Sequence, residues 1–282
     1  MSENTLIRIA HSPDSDDAFM FYALTQNLLD THGLTIRHQL SDIETLNQAA
    51  FEGKYEITAL SFHAYAYLAD RYRLMPSGAS FGDGYGPVVV SREPLDANTI
   101  VDKKVAIPGA LTTAALALRL WQPEVTTEIV PFDQILPAVS SGEFDAGVVI
   151  HEGQLTFGEA GLRAVVDLGA WWQAETGGPL PLGGNGIRRD LPEELQQRLC
   201  RLLTQSIAYG LDHRQEALSY AIRYARGLED DPVRSDRFVG MYVNHWTRDY
   251  GEAGRRAVQL LLDRATERGI LPMRIEAEFV EA

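Results

Sequence analysis

In residues 6–72 three short β-rich runs each lead into a stretch with helical spacing, and that alternation limits the fold more than any other feature of the chain. Leu6-Ile7-Arg8-Ile9-Ala10 reads as a strand, and residues 17–29 carry apolar side chains at helical spacing. Leu34-Thr35-Ile36-Arg37 reads as a second strand, followed by a helix over 43–52 that Gly53 stops. Ile57-Thr58-Ala59-Leu60 reads as a third strand, with a helix over 61–72. A βαβαβα order predicts a parallel sheet with helices on both faces.

A glycine-rich loop at 77–87 then leads into Val88-Val89-Val90, and a fresh α/β set begins. Its strands read as Val105-Ala106-Ile107, Glu128-Ile129-Val130 and Ala146-Gly147-Val148-Val149-Ile150, with helices over 112–121 and 133–141. A second cluster of glycine and proline occupies 176–184, and residues 191–269 read as helical with breaks near Gly210, Gly227 and Gly251. A helical tail without a sheet of its own packs best on the first lobe. The chain therefore builds one lobe, crosses near 88, builds a second lobe, and returns near 184. The expected division is 1–88 with 185–282 against 89–184. This predicts an α/β, two-lobed, type II periplasmic-binding-protein-like fold, with mostly parallel sheets, two crossover hinge strands and a helical C-terminal tail. Lobes of that kind close on a ligand, which meets the carboxyl ends of the strands.

Charge narrows the ligand. Of 282 residues, 25 are basic and 39 acidic, a net charge of −14. That balance excludes a nucleic-acid partner, which needs a basic face. An anionic ligand must be drawn in by local dipoles, because the overall field repels it. The single cysteine, Cys200, lies between Leu199 and Leu202 on a helical pattern and reads as a core thiol, so no internal disulfide forms and a reducing compartment is expected. Met1-Ser2-Glu3-Asn4-Thr5 lacks the basic and apolar regions of a secretory signal. No run of about 18 apolar residues offers a membrane span. The expectation is a cytoplasmic bacterial protein without membrane insertion.

The strand ends carry the polar loops. His11-Ser12-Pro13-Asp14-Ser15-Asp16-Asp17 follows the first strand. Asp16 and Asp17 read first as helix-capping residues, and Ser12 and Asp14 as groups that face the cleft and hydrogen-bond substrate hydroxyls. A metal site there lacks matching ligands elsewhere, so no metal is expected. Ile107-Pro108-Gly109-Ala110-Leu111-Thr112-Thr113 joins a strand to a helix N-terminus, where free N–H groups and two hydroxyls suit a carboxylate. One threonine can cap the helix while the other binds. His151 follows Val148-Val149-Ile150 at a strand end, in place for proton transfer near neutral pH. A histidine there can equally just satisfy a loop, and Glu152 either orients it or is a solvated neighbour. Among the other histidines, His63 reads as core or cleft lining on an aromatic helix face with Tyr65 and Tyr67. His32, His38 and His213 read as surface positions, and His11 as structural. The sequence has no H-E-x-x-H, G-x-G-x-x-G, Walker loop or G-x-S-x-G.

Several segments together resemble a known family: Ser12-Pro13 with Asp17 and Phe19, Asp42-Ile43-Glu44-Thr45-Leu46-Asn47, Leu60-Ser61 with Ala64-Tyr65, and Gly86-Pro87. Ile107-Pro108-Gly109 with Thr112-Thr113-Ala114, Asp145-Ala146-Gly147 running to Ile150-His151-Glu152-Gly153, and Pro179-Leu180-Pro181-Leu182-Gly183 continue the series. Tyr242-Val243-Asn244 with Gly251-Glu252 and Gly254 end it. In this order and spacing the chain resembles the 1,4-dihydroxy-6-naphthoate synthase family of the futalosine route to menaquinone, with chorismate dehydratase as its sister family. The His-Glu-Gly segment favours the synthase branch. The resemblance implies a lyase that cleaves cyclic dehypoxanthine futalosine to dihydroxynaphthoate and a three-carbon fragment. It implies His151 as the base, Thr112 and Thr113 in the same pocket, and Asn47, Ser61, Gly109 and Glu152 among the substrate-binding residues. It implies no cofactor. The expected partner is a small carboxylated aromatic substrate, bound by a monomer or homodimer.

The chain also departs from the family pattern. Asp14-Ser15-Asp16 stands where Cys-Pro-Asn is usual, Ala18 where Thr is usual, Ala110-Leu111 where Arg-His is frequent, and Gln154 where arginine is usual. Fewer cationic groups shift anion binding onto helix dipole and hydroxyls. Two further readings follow. One is a family member with a shifted substrate, including chorismate dehydratase-like activity. The other is a non-catalytic solute-binding protein for a small carboxylate.

Overall fold

Eleven strands build two sheets in the computed structural model, which describes residues 5–281. Residues 1–4, on which the reading of the leader partly rests, and residue 282 lie outside the described residues. The strands are β1 (Thr5–His11), β2 (Leu34–Leu40), β3 (Ile57–Ser61), β4 (Tyr72–Leu74), β5 (Ser80–Gly82), β6 (Val88–Ser91), β7 (Val105–Ile107), β8 (Thr127–Ile129), β9 (Ala146–Val149), β10 (Arg163–Asp167) and β11 (Leu180–Arg188). One sheet has the order β2-β1-β3-β11-β4, with β5 also paired to β11, and the other the order β10-β6-β9-β7-β8. β3 is buried at every residue, Thr58 and Ser61 included, as befits a strand covered on both faces.

The sheets are mixed where mostly parallel ones were expected. β1–β2, β1–β3, β7–β8 and β7–β9 are parallel. The pairings of β6 with β9 and β10, and of β11 with β3, β4 and β5, are antiparallel. The glycine and proline cluster read as a loop opens into β11. There Gly184 runs so close to the C-terminal region that a Cβ on it would lie 2.0 Å from the Tyr250 hydroxyl.

Two helical expectations break up. The stretch at 17–29 forms two short helices, Ser15–Met20 and Tyr22–Thr25. The stretch at 61–72 gives only Phe62–Tyr65 before turns and β4. The helices Ile43–Phe51, Thr113–Trp121 and Phe132–Ser141 lie where their patterns predict them. The tail forms Glu193–Asp212, Arg214–Ala221, Pro232–Tyr242, His245–Arg248 and Gly251–Glu267. Gly210 is not a break: it lies inside the first of these, where a Cβ would sit 3.1 Å from Phe19. No helix among the described residues is long and apolar enough to cross a membrane.

The tail packs on the first sheet through Phe19, Phe21, Leu199, Cys200, Leu203 and Ile207. A second apolar core runs without interruption from Phe62 and Leu74 of the first sheet region through Ile107 and Leu116 to Val258 and Leu262. The ends of β1, β3, β7 and β9 meet beside it, and their loops form one cleft.

Candidate active site

β9 ends at Val149, and two residues later the chain turns at His151 with φ +53°. That left-handed conformation is uncommon for a residue with a Cβ and stores roughly 1–3 kcal/mol. Here it directs the imidazole into the cleft, 19% exposed, with Nδ1 3.1 Å from Asp14 Oδ2. Phe132 packs edge-on against the ring at 5.2 Å. Asp14 is the N-cap of helix Ser15–Met20, and its Oδ1 accepts from the Asp17 N–H at 3.2 Å. One carboxylate thus ends a helix and orients the histidine, and the cap is Asp14 rather than Asp16 or Asp17.

Burial opposes charge on His151, but the Asp14 carboxylate outweighs it by charge and hydrogen bond and holds the imidazole above its usual 6.5. Burial likewise pushes the Asp14 carboxyl up, but the charge and hydrogen bond of His151, aided by the Asp16 carboxyl and the Asp17 N–H, more than reverse that shift. A proton on Nδ1 is fixed toward Asp14, which leaves the Nε2 lone pair as the base.

More carboxyl groups gather behind this pair. Asp17 Oδ2 accepts from the Ser12 N–H at 2.7 Å. Glu152 is 1% exposed, and its Oε1 accepts from the Ser15 hydroxyl at 2.8 Å. Burial first, and then the Asp14 charge, raise Asp16 and Asp17 well above the carboxylate range. Burial, and then Asp14 against the pull of His151, raises Glu152. Ligand atoms of Asp14, Asp16 and His151 lie within 4.8 Å of one another, a spacing that brings a divalent cation to mind. His151 thus supplies a ligand type that the loop sequence alone did not match to these aspartates. One Asp14 oxygen meets His151 Nδ1 and the other accepts from the Asp17 N–H, so Asp14 and His151 form an acid–base pair.

The opposite wall comes from β3 and the β7 loop. Thr112 caps helix Thr113–Trp121, its hydroxyl accepting from the Ala115 N–H at 3.2 Å and donating to the Gly109 carbonyl at 2.8 Å. Thr113 and Ala114 line the cleft in the first helical turn, where N–H groups have no carbonyl of their own helix to bond. The Thr113 hydroxyl accepts from the His63 N–H at 3.3 Å and keeps its own proton to donate. Ser61 lines the same cleft, held at its N–H (3.0 Å) and hydroxyl (3.1 Å) by the Asn47 amide. No lysine or arginine lines the cleft among the described residues, so these donors carry the attraction for an anion.

The sequence profile described as menaquinone biosynthesis matches residues 7–267 of this chain. The chain belongs to the menaquinone biosynthesis family. A relative in Thermus thermophilus, described as 1,4-dihydroxy-6-naphtoate synthase, is 43% identical over 264 residues, 94% of this chain and 95% of the relative. Another with the same description, in Streptomyces coelicolor, is 36% identical over 278 residues, 96% of each chain. The crystal structure of a protein from Archaeoglobus fulgidus superposes with a TM-score of 0.90 at 47% identity, covering 94% of this chain and 98% of that one. The alkanesulfonate-binding protein of Xanthomonas axonopodis pv. citri, bound to MOPS, superposes with a TM-score of 0.71 over 98% of both chains. At 14% identity it shows the fold alone, which is periplasmic-binding-protein-like.

In this member of the menaquinone biosynthesis family, Ser12, Asp14, Ser61, Thr112, Thr113 and His151 share one cleft. Three residues expected to bind substrate stand behind the wall. Asn47 is fully buried and holds Ser61. Gly109 is covered by Glu44 and accepts the Thr112 hydroxyl. Glu152 is neither solvated nor bonded to His151, because the Ser15 hydroxyl takes its carboxyl inside the fold. Asp16, Ser80, Gln154 and Tyr242 also line the cleft. Gln154 accepts from the Tyr242 hydroxyl at 2.6 Å, a link across 88 positions that local pattern does not reveal. Among the histidines, His38 is not a surface group. It packs on Phe21 and pairs with His11 at 3.2 Å, and burial lowers it to about 3. His11 is held neutral by burial at about 4, and so is His63, whose ring Nδ1 lies 3.3 Å from the Thr112 carbonyl.

Proposed function

We propose that this protein is a lyase of menaquinone biosynthesis that converts cyclic dehypoxanthine futalosine to 1,4-dihydroxy-6-naphthoate, with His151 as general base. The observation that carries the reading is the Asp14–His151 pair, a base with one nitrogen fixed and the other free, set in a cleft fitted for an anion. The description of both curated relatives as synthases supports it. The substrate carboxylate sits at the N–H groups of Thr113 and Ala114 with the Thr113 hydroxyl, while Ser12 and Ser61 bond hydroxyl and carbonyl oxygens. His151 Nε2 takes a proton from the sugar-derived part. The electron pair released expels the three-carbon fragment, and the new aromatic ring supplies the driving force. A base of this kind contributes about 10²–10⁴-fold.

The two lobes, 1–88 with 185–282 and 89–184, close over the substrate and exclude water, with the return crossing inside β11. The enzyme works in the cytoplasm as a monomer or homodimer, without a cofactor. A shifted substrate is the second reading, and the cleft without lysine or arginine favours it. Incubation with cyclic dehypoxanthine futalosine and, in parallel, with chorismate separates the two. Dihydroxynaphthoate from the first compound supports the proposal. Turnover of chorismate alone supports the shifted substrate, and turnover of neither leaves a binding protein.

A further inference from the structure

Three aspartates on one short stretch border the cleft, and they are not equivalent. Asp14 has His151 and a backbone N–H as partners. Asp17 has the Ser12 N–H at 2.7 Å. Asp16 has neither. It is 7% exposed, its Oδ1 is buried without a hydrogen-bond partner, and its Oδ2 meets only the Ser80 hydroxyl, at 3.4 Å. The groups that face it are Asp14 and Asp17 on its own helix, Glu152 beyond β9, Ser80 on β5 and the Tyr242 phenol from helix Pro232–Tyr242. The nearby imidazole of His151 is committed to Asp14, and Arg226 lies beyond it over the Phe132 ring.

Among the described residues an ionised carboxylate at this place has no donor but the Ser80 hydroxyl and no cation but the His151 imidazole, which is bonded to Asp14, so burial penalises it. A neutral carboxyl group has the opposite need: it carries one donor that requires an acceptor. Asp14 lies near enough to be one such acceptor, and an oxygen of a molecule in the cleft is the other.

We propose that Asp16 is a further substrate-positioning residue, whose carboxyl group keeps its proton in the cleft and donates that O–H to an oxygen of the bound anion. The inference rests on the reading of this cleft as an anion site. It explains how an acidic protein with no lysine or arginine on the cleft wall adds a donor opposite the Thr112–Thr113 loop.

Infrared difference spectra of the full chain, wild type against Asp16→Asn, test it with two probes: 1,4-dihydroxy-6-naphthoate and, separately, benzoate. At neutral pH the wild type shows the C=O stretch of an un-ionised carboxyl group, sensitive to D2O. Asp16→Asn loses that component, and a probe shifts it in the wild type. Asp17 and Glu152 contribute at most components that survive in Asp16→Asn and ignore the probe. Asp16→Asn keeps probe affinity within about threefold, since its amide still donates, whereas Asp16→Ala loses about tenfold. A wild type without a component lost in Asp16→Asn overturns the proposal. So does a component that neither probe shifts, which assigns the proton to Asp14, and so does equal loss in the two variants. A band that benzoate shifts but the naphthoate does not sinks the substrate assignment and leaves the inference standing.

Discussion

His151 holds a backbone conformation that side chains with a Cβ avoid, and the contact it gains there is the one with Asp14. That pairing sets a pH dependence. The carboxylate stabilises the imidazolium, so the base is freed only as pH rises through a value above 6.5. Asparagine at position 14 still caps the helix but removes the charge, so burial, the largest influence on the imidazole, is no longer offset by Asp14 and lowers it. Asp14→Asn is expected to move the acidic limb of kcat/KM to lower pH and to reduce kcat about 10²-fold. A pH–rate profile with an unmoved limb shows that Asp14 does not govern His151. The sequence made His151, Ser12 and the threonine loop legible, because strand ends before helix starts are where free donors collect. It did not reveal which acid serves the histidine. Glu152 is adjacent in the chain, yet its side chain turns inward to Ser15, while Asp14 arrives from 137 positions away on another sheet.

At the scale of elements, the segment that joins the sheets is held by backbone packing. A Cβ on Gly169, at the start of helix Leu168–Thr176, would lie 1.9 Å from the Tyr85 carbonyl oxygen. Backbone cannot move aside as a side-chain tip can. Gly169→Ala is therefore expected to destabilise by about 1–3 kcal/mol. Gly178→Ala, with open space at its Cβ, should stay within about 0.5 kcal/mol. Urea midpoints of the two variants check this, and equal midpoints contradict it. The same packing explains which elements were legible. β1, β2, β3, β7 and β9 have β-rich runs that stand out alone, and the helices at 43–51 and 113–121 have caps and apolar periodicity. β4 and β5 are three residues each, and β11 holds three glycines and a proline. Their pairing comes from neighbours distant in the chain, which local propensity does not carry.

For the whole molecule, the apolar core shared by Leu74, Ile107, Leu116 and Val258 ties the two sheets together. A common core predicts a single cooperative transition. Far-UV circular dichroism and the fluorescence of Trp172 and Trp246 should therefore give coincident urea curves, and two separated transitions would show independent lobes. That shared core also places the His151 loop of the second sheet against the Asp14 loop of the first, so the chemistry depends on both sheets at once. The most direct measurement is the rate of 1,4-dihydroxy-6-naphthoate formation from cyclic dehypoxanthine futalosine, wild type beside His151→Ala. The account predicts product from the wild type and a rate about 10²–10⁴-fold lower in the variant. Equal rates from the two proteins, or no product from either, would contradict it.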